Sequence, residues 1–243
     1  LKALLLLLTA GKFGKVLLTG GTMLISVFAY GLVFGWPYAV GFVLLIFVHE
    51  MGHYIAARQR GLNVGAPTFI PFVGAWINLK DLPHDVETEA YVGLAGPLVG
   101  TLGALACYFA ARHLNSPLLL ALSYAGFFLN LVNLIPISPL DGGRVTAVIS
   151  PRMWFLGVPI LLGLFIVRPS PVLVLIAVLA APQLVKAWRY EPSAPENRQY
   201  YGVSVEHKFT YGAAYIGLAA FLAVMTHDVH QMLGELGNTG TWR

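Results

Sequence analysis

Charge is scarce in this chain. Asp, Glu, Lys and Arg make up 11% of its 243 residues, where a soluble domain carries roughly a quarter. That deficit, with 57% hydrophobic residues and a mean hydropathy of +0.72, excludes an ordinary soluble domain and implies a polytopic membrane protein. Cysteine is all but missing. Cys107 is alone in an apolar run, which excludes an internal disulfide. The net charge of +4 is small and one-sided along the chain, so the expected partner is a lipid bilayer and not nucleic acid. The run Leu1 to Leu8 is too short to span and has no Met start. It reads as the edge of a fragment or a clipped N-terminus rather than a signal peptide.

What is there is a series of apolar runs, each compared with the roughly 20 residues needed to cross. A short segment over 1–15, with Lys2, Lys12 and Lys15, reads as interfacial. Span one covers Val16 to Phe34 and span two Trp36 to Ala57, joined by a tight Gly35-Trp36-Pro37 turn. After a polar region, Arg58 to Glu89, come span three (Ala90 to Ala111) and span four (Pro117 to Ile135). An interrupted segment, Pro136 to Arg152, precedes the shorter spans five (Met153 to Val167) and six (Pro169 to Val185). A polar linker over 191–208 leads to a last span, Phe209 to Thr226, and an exposed tail containing His227, Asp228 and His230. With the N-terminus inside and alternating spans, 12 of the 15 Lys and Arg fall on the inner side, as the positive-inside rule requires.

Across those seven runs the Asp, Glu, Lys, Arg and His residues number three: His49, Glu50 and His53. Ionisable residues within a span are costly and point to function. Two histidines four apart lie one turn above the other on a helix face, a spacing at which both imidazoles can hold one zinc ion while the intervening Glu acts on an activated water. The motif lies roughly 12 Å from the inner end of span two at helical rise, below the surface but short of the midplane.

A catalytic zinc site ordinarily takes three protein ligands. Asp141 is the candidate third. Pro136 and Pro139 break the helix before it, and Gly142 and Gly143 follow it, so it sits on a non-helical turn that other backbone can approach closely. The alternative is that Asp141 N-caps the next helix.

His49-Glu50-Met51-Gly52-His53, followed by Asn133-Leu134-Ile135-Pro136-Ile137-Ser138-Pro139-Leu140-Asp141-Gly142, resembles the paired signature of the site-2 protease family of intramembrane zinc metalloproteases. The similarity covers roughly residues 16–150, and Phe69 to Ala75 and Ala95-Gly96-Pro97 share it. The resemblance implies that His49, His53 and Asp141 bind Zn2+, that Glu50 is the general base and that Asn133 orients the substrate carbonyl. It also implies a transmembrane protein as substrate. Asn133 could equally join Asn130 in interhelical hydrogen bonding on span four.

The remaining expectations follow from local composition. Thr68 to Leu79 is apolar, rich in aromatic and β-branched residues and interrupted by Pro71 and Gly74, so it favours a membrane-dipping β-hairpin whose edge pairs with an extended substrate, or else an interfacial loop. Gly96 and Gly100 on span three have the spacing that lets membrane helices pack closely. His84, Asp85, Glu87 and Glu89 read as a solvated loop face. The expected fold is an all-α membrane protein: a polytopic bundle of about six or seven transmembrane helices with that short β-hairpin. Its expected parts are an interfacial segment (1–15), a catalytic core (16–150), accessory helices (151–190), a polar linker (191–208) and a C-terminal helix with tail (209–243). The expected location is a prokaryotic inner membrane, multi-pass, with the site near the cytoplasmic side. Two rivals use the same residues: a transporter or proton relay, and an inactive zinc-binding scaffold. The sequence assigns no oligomeric state.

Overall fold

Helices α1 (Lys12–Phe34) and α2 (Trp36–Gln59) are joined by one residue, Gly35. Its φ of 87° and ψ of 149° lie in a region that side chains exclude, so glycine alone reverses the chain this tightly. Proline follows in the first turn of α2, where its missing N–H breaks no helical bond. The computed structural model describes residues 12–72, 74–79 and 83–239. The expected interfacial segment 1–15 therefore lies outside the described residues as far as residue 11, and from Lys12 the chain is already helical.

The rest of the chain runs β1 (Val64–Ile70), β2 (Gly74–Leu79), α3 (Val86–Leu114), α4 (Pro117–Asn133), α5 (Asp141–Thr146), a 3-10 turn (Pro151–Leu156), α6 (Gly157–Val167), α7 (Pro171–Trp188), α8 (Pro195–Tyr201) and α9 (Val205–Thr239). Five helices, α1, α2, α3, α7 and α9, are long and apolar enough to cross a membrane, and two shorter apolar stretches, Pro117–Asn133 and Pro151–Val167, accompany them. The chain is an integral membrane protein, predominantly helical.

Three expectations change. The acidic run before span three is not a loop face: Asp85 N-caps α3, accepting from Thr88 N at 2.7 Å, and Glu87 and Glu89 form its first turn. Negative charge is favoured there by the helix dipole. The polar linker contains α8, whose Tyr200 hydroxyl donates to Glu89 at 2.7 Å. Burial and that carboxylate push the Tyr200 phenol well above its usual range, so it stays a donor. The expected polar tail is the continuation of α9, and the His230 ring lies 5.4 Å from that of Tyr124 on α4.

The final helix is not peripheral. Leu218, Leu222 and Val229 of α9 pack with Ala104 and Ala111 of α3 and Leu120 and Phe127 of α4. A second cluster gathers Trp154 of the 3-10 turn, Leu161 of α6 and Ile176 of α7 around Ile137 and Val148. A third holds Tyr30 of α1, Ala39, Val43 and Ile46 of α2, and Phe69 of β1.

The hairpin pairs Thr68 with Trp76, Phe69 with Ala75 and Ile70 with Gly74, with an irregularity between Val64 and Pro67. Its outer β1 edge is closed by α1. Thr19 donates to the Pro67 carbonyl at 2.7 Å, the Phe69 N–H donates to Thr22 at 3.1 Å, and the Phe72 N–H donates to the Tyr30 hydroxyl at 3.1 Å. Because the Phe69 N–H points away from β2, its partner Ala75 is in a non-hydrogen-bonded pair. Ala75 and Ile77 therefore present their N–H and C=O groups on the outer edge of β2.

A Cβ at Gly35 would meet no atom within 4 Å, so Gly35→Ala tests the backbone alone. It is expected to lower stability by about 1–3 kcal/mol, read as a lower unfolding midpoint in detergent.

Candidate metal centre

His49 and His53 occupy successive turns of α2, and both are buried, at 4% and 8% exposure, as is Glu50 at 8%. Burial of this turn needs a neighbouring helix close by, and α3 supplies it through small residues. A Cβ on Gly96 would overlap the His53 ring, and one on Gly100 would overlap the Asn130 amide. The two glycines, one turn apart, therefore accept a ring and an amide where any side chain would stand. Gly52, between the histidines, meets the Ala95 carbonyl in the same way.

Each imidazole has one nitrogen committed. His53 Nδ1 lies 2.7 Å from the Val92 carbonyl, which can only accept, so Nδ1 carries the hydrogen. His49 Nδ1 lies 2.7 Å from Asn130 Oδ1. The Asn130 NH2 donates to the Gly126 carbonyl at 2.7 Å, which turns its oxygen to His49 and makes His49 Nδ1 the donor. Both Nε2 atoms then hold lone pairs in the neutral rings. They face each other at 3.1 Å, and Asp141 Oδ2 lies 3.2 Å from each.

Asp141 reaches this point from a turn. Leu140, not Asp141, is the N-cap of α5, and it makes no side-chain capping bond, so the capping alternative is not the observed arrangement. The Asp141 carboxylate is turned to the histidines instead. Gly142 and Gly143 pack backbone on backbone: a Cβ on the first would overlap the Leu134 carbonyl, and on the second the Ser138 nitrogen. Arg144, one turn into α5, lies against Gly93 of α3 and 3.9 Å from Glu89, joining α5 to α3.

Three acceptors converging within 3.2 Å in a buried site repel one another unless a cation lies among them. Tetrahedral zinc with bonds of about 2.0–2.1 Å separates its ligand atoms by about 3.3 Å, so the observed triangle fits. The donor chemistry fits as well: two neutral imidazoles, each with its far nitrogen hydrogen-bonded, and one carboxylate are a donor set that such an ion would accept. Among the described residues this is the one group of three His, Cys, Asp or Glu with that geometry.

The candidate residues named from sequence divide accordingly. His49, His53 and Asp141 come together, and Glu50 lies on the same turn of α2. Asn133 is the last residue of α4, half-buried, and makes no side-chain hydrogen bond among the described residues. The asparagine that touches the site is Asn130, 1% exposed, through His49. Its sequence signal was an amide in an apolar span; its partner is 81 positions away.

The sequence profile of Peptidase family M50 matches residues 37–117. Zinc metalloprotease MJ0392 of Methanocaldococcus jannaschii is 34% identical over 128 residues, which cover 49% of this chain and 37% of that protein. The chloroplast protein EGY1 of Arabidopsis thaliana, named a probable zinc metalloprotease, is 28% identical over 85 residues, covering 33% and 16%. The chain thus spans 37% and 16% of the lengths of these relatives. A solved structure, the site-2 protease from Methanocaldococcus jannaschii, superposes with a TM-score of 0.47 at 22% identity, over 70% of this chain and 87% of that one.

Two substitutions test the groups that orient and seat the imidazoles. Asn130→Leu, which removes the acceptor of His49, is expected to weaken metal binding by roughly 10–100-fold, measured by competition with a chromophoric chelator. Gly96→Ala is expected to displace the His53 ring and lower bound metal per chain while leaving the far-UV circular dichroism unchanged.

Proposed function

We infer that this chain belongs to the site-2 protease family (peptidase family M50) and is an intramembrane zinc metalloprotease that hydrolyses peptide bonds of transmembrane proteins. The observation that carries the reading is the buried triangle of His49 Nε2, His53 Nε2 and Asp141 Oδ2, with the hydrogens of both rings facing away from it. His49, His53 and Asp141 would hold the zinc, and Glu50 would be the general base.

A zinc ion bound there supplies Lewis acidity, polarising a carbonyl and lowering the pKa of water toward about 7. Glu50 takes the proton of the attacking water and delivers it to the leaving amine, so one carboxyl group serves both halves of the hydrolysis. Val92 O and Asn130 Oδ1 keep both rings in the Nε2-facing orientation throughout. The same hydrogen bonds leave neither Nδ1 as an open proton acceptor, which favours a ligand role over a proton relay. Asn133, at the end of α4 beside the turn to Asp141, would orient the substrate carbonyl.

A helical substrate shields its peptide bonds with its own hydrogen bonds, so it must be drawn out before cleavage. The hairpin offers a means. With the β1 edge closed by Thr19, Thr22 and Tyr30, an extended substrate would pair with Ala75 and Ile77 on β2. We place this hairpin in the inner leaflet and the metal centre toward the cytoplasmic side of a prokaryotic inner membrane. The 12-to-3 distribution of Lys and Arg supports that orientation. Residues 16–150 would form the catalytic core and 151–190 the accessory helices.

Glu50→Gln is expected to retain stoichiometric zinc and to lose cleavage of a membrane-reconstituted peptide by about 10²–10⁴-fold. Chelation of the wild-type protein should abolish cleavage, and added zinc should restore it. A fully active Glu50→Gln removes Glu50 from the mechanism. Ala75→Pro removes an outward N–H of β2, and is expected to slow cleavage of a transmembrane substrate while zinc content stays at the wild-type level.

A further inference from the structure

Asp141 opens a short helix after seven residues without regular structure, Leu134 to Leu140, yet its carboxylate lies 3.2 Å from two imidazoles on another helix. A ligand on such a turn must be held from outside. Two donors hold it, both from parts of the chain to which the sequence assigns no chemistry.

The Tyr215 hydroxyl, on α9, donates to the Leu134 carbonyl at 2.5 Å. Leu134 is the C-cap of α4, where carbonyls lack helical partners, and its own N–H donates to the Asn130 carbonyl at 3.2 Å. The same Leu134 carbonyl rests on Gly142, where a Cβ would overlap it. Hydroxyl, carbonyl and the residue next to Asp141 are thus in direct sequence of contact. On the other side, the buried Trp154 indole N–H donates to the Gly143 carbonyl at 2.8 Å. Backbone packed on backbone at Gly142 and Gly143 has no flexible side chain to absorb a displacement.

We propose that Tyr215, with Trp154 as its counterpart, is a positioning residue of the metal centre: it sets where Asp141 stands relative to His49 and His53 by holding the Leu134 carbonyl against Gly142. The last transmembrane helix is on this account part of the metal site. The proposal rests on the reading of His49, His53 and Asp141 as zinc ligands.

Tyr215→Phe removes one oxygen and leaves the ring packing. In the full chain in detergent, two quantities are read: zinc affinity by chelator competition, and the visible d–d spectrum of the Co2+-loaded protein. The expected result is a roughly 10–100-fold loss of zinc affinity with shifted cobalt bands. Trp154→Phe should move both readouts in the same direction. Tyr124→Phe, which strips a hydroxyl from a ring 5.4 Å from that of His230 on the same α4–α9 seam, should leave both unchanged. Unaltered affinity and cobalt bands in Tyr215→Phe and Trp154→Phe overturn the proposal, as does an equal change in Tyr124→Phe. If Tyr215→Phe does not fold, Trp154→Phe decides alone. A wild-type chain that binds no zinc refutes the metal-centre reading itself, a different outcome from either.

Discussion

Three electron-pair donors brought within 3.2 Å of each other inside a membrane protein is the constraint from which the rest of the architecture follows. Without a cation the arrangement is repulsive, and in a dry environment each unpaired acceptor is costly. It is tolerated because every other polar atom of the two rings and of Asn130 has a partner: Val92 O for His53, Asn130 Oδ1 for His49, and Gly126 O for Asn130. The polarity of the site is concentrated at one point, and the surrounding groups are satisfied within one or two turns of helix.

That concentration dictates how the helices pack. An imidazole and an amide buried between two helices need space that side chains would ordinarily fill. On α3 the space is made by Gly96 and Gly100, one turn apart, with Gly93 accommodating Arg144 one turn earlier. In lipid, where apolar surface gains little by helix association, small residues let backbones approach and dispersion act. The glycine row therefore does two things with one geometry: it brings α2 and α3 together and forms the recesses that seat the His53 ring and the Asn130 amide. The turn that carries Asp141 is built likewise, with Gly142 and Gly143 as the contact points.

Parts far from the motif in sequence complete the site. Helix α1 closes the β1 edge with Thr19 and Thr22 and holds the following turn through Tyr30, so among the described residues it is the β1 side of the hairpin that is covered. An uncovered edge strand invites uncontrolled pairing, and α1 removes that hazard on the β1 side. Helix α9 packs along α3 and α4 and places a hydroxyl on the turn that carries Asp141. Glu87, in the first turn of α3, ties the ends of α2 and α9 to that helix: it lies 2.9 Å from His207 and 4.0 Å from Arg60.

Much was legible from sequence because it depends on local chemistry. Apolar runs against scarce charge determined a helical membrane protein, and the helix period put His49 and His53 on one face. Two prolines and two glycines in one short stretch marked the turn at Asp141. Thr68 to Leu79 carried enough β-branched and aromatic residues to be read as a hairpin, although β1 begins four residues earlier, at Val64. What stayed illegible depends on partners distant along the chain. Nothing local distinguishes Asn130 from Asn133: both are amides near the end of one apolar helix. Only the crossing of α4 with α2 and α3 decides that Asn130 meets His49. The same holds for Tyr215 and Trp154, ordinary aromatics in apolar surroundings until the fold sets one on the Leu134 carbonyl and the other on the Gly143 carbonyl. Periodicity and composition determine which residues share a face, since those are properties of adjacent backbone. Which face meets which is settled by packing of whole helices, and it is there that the orienting groups of this site were chosen.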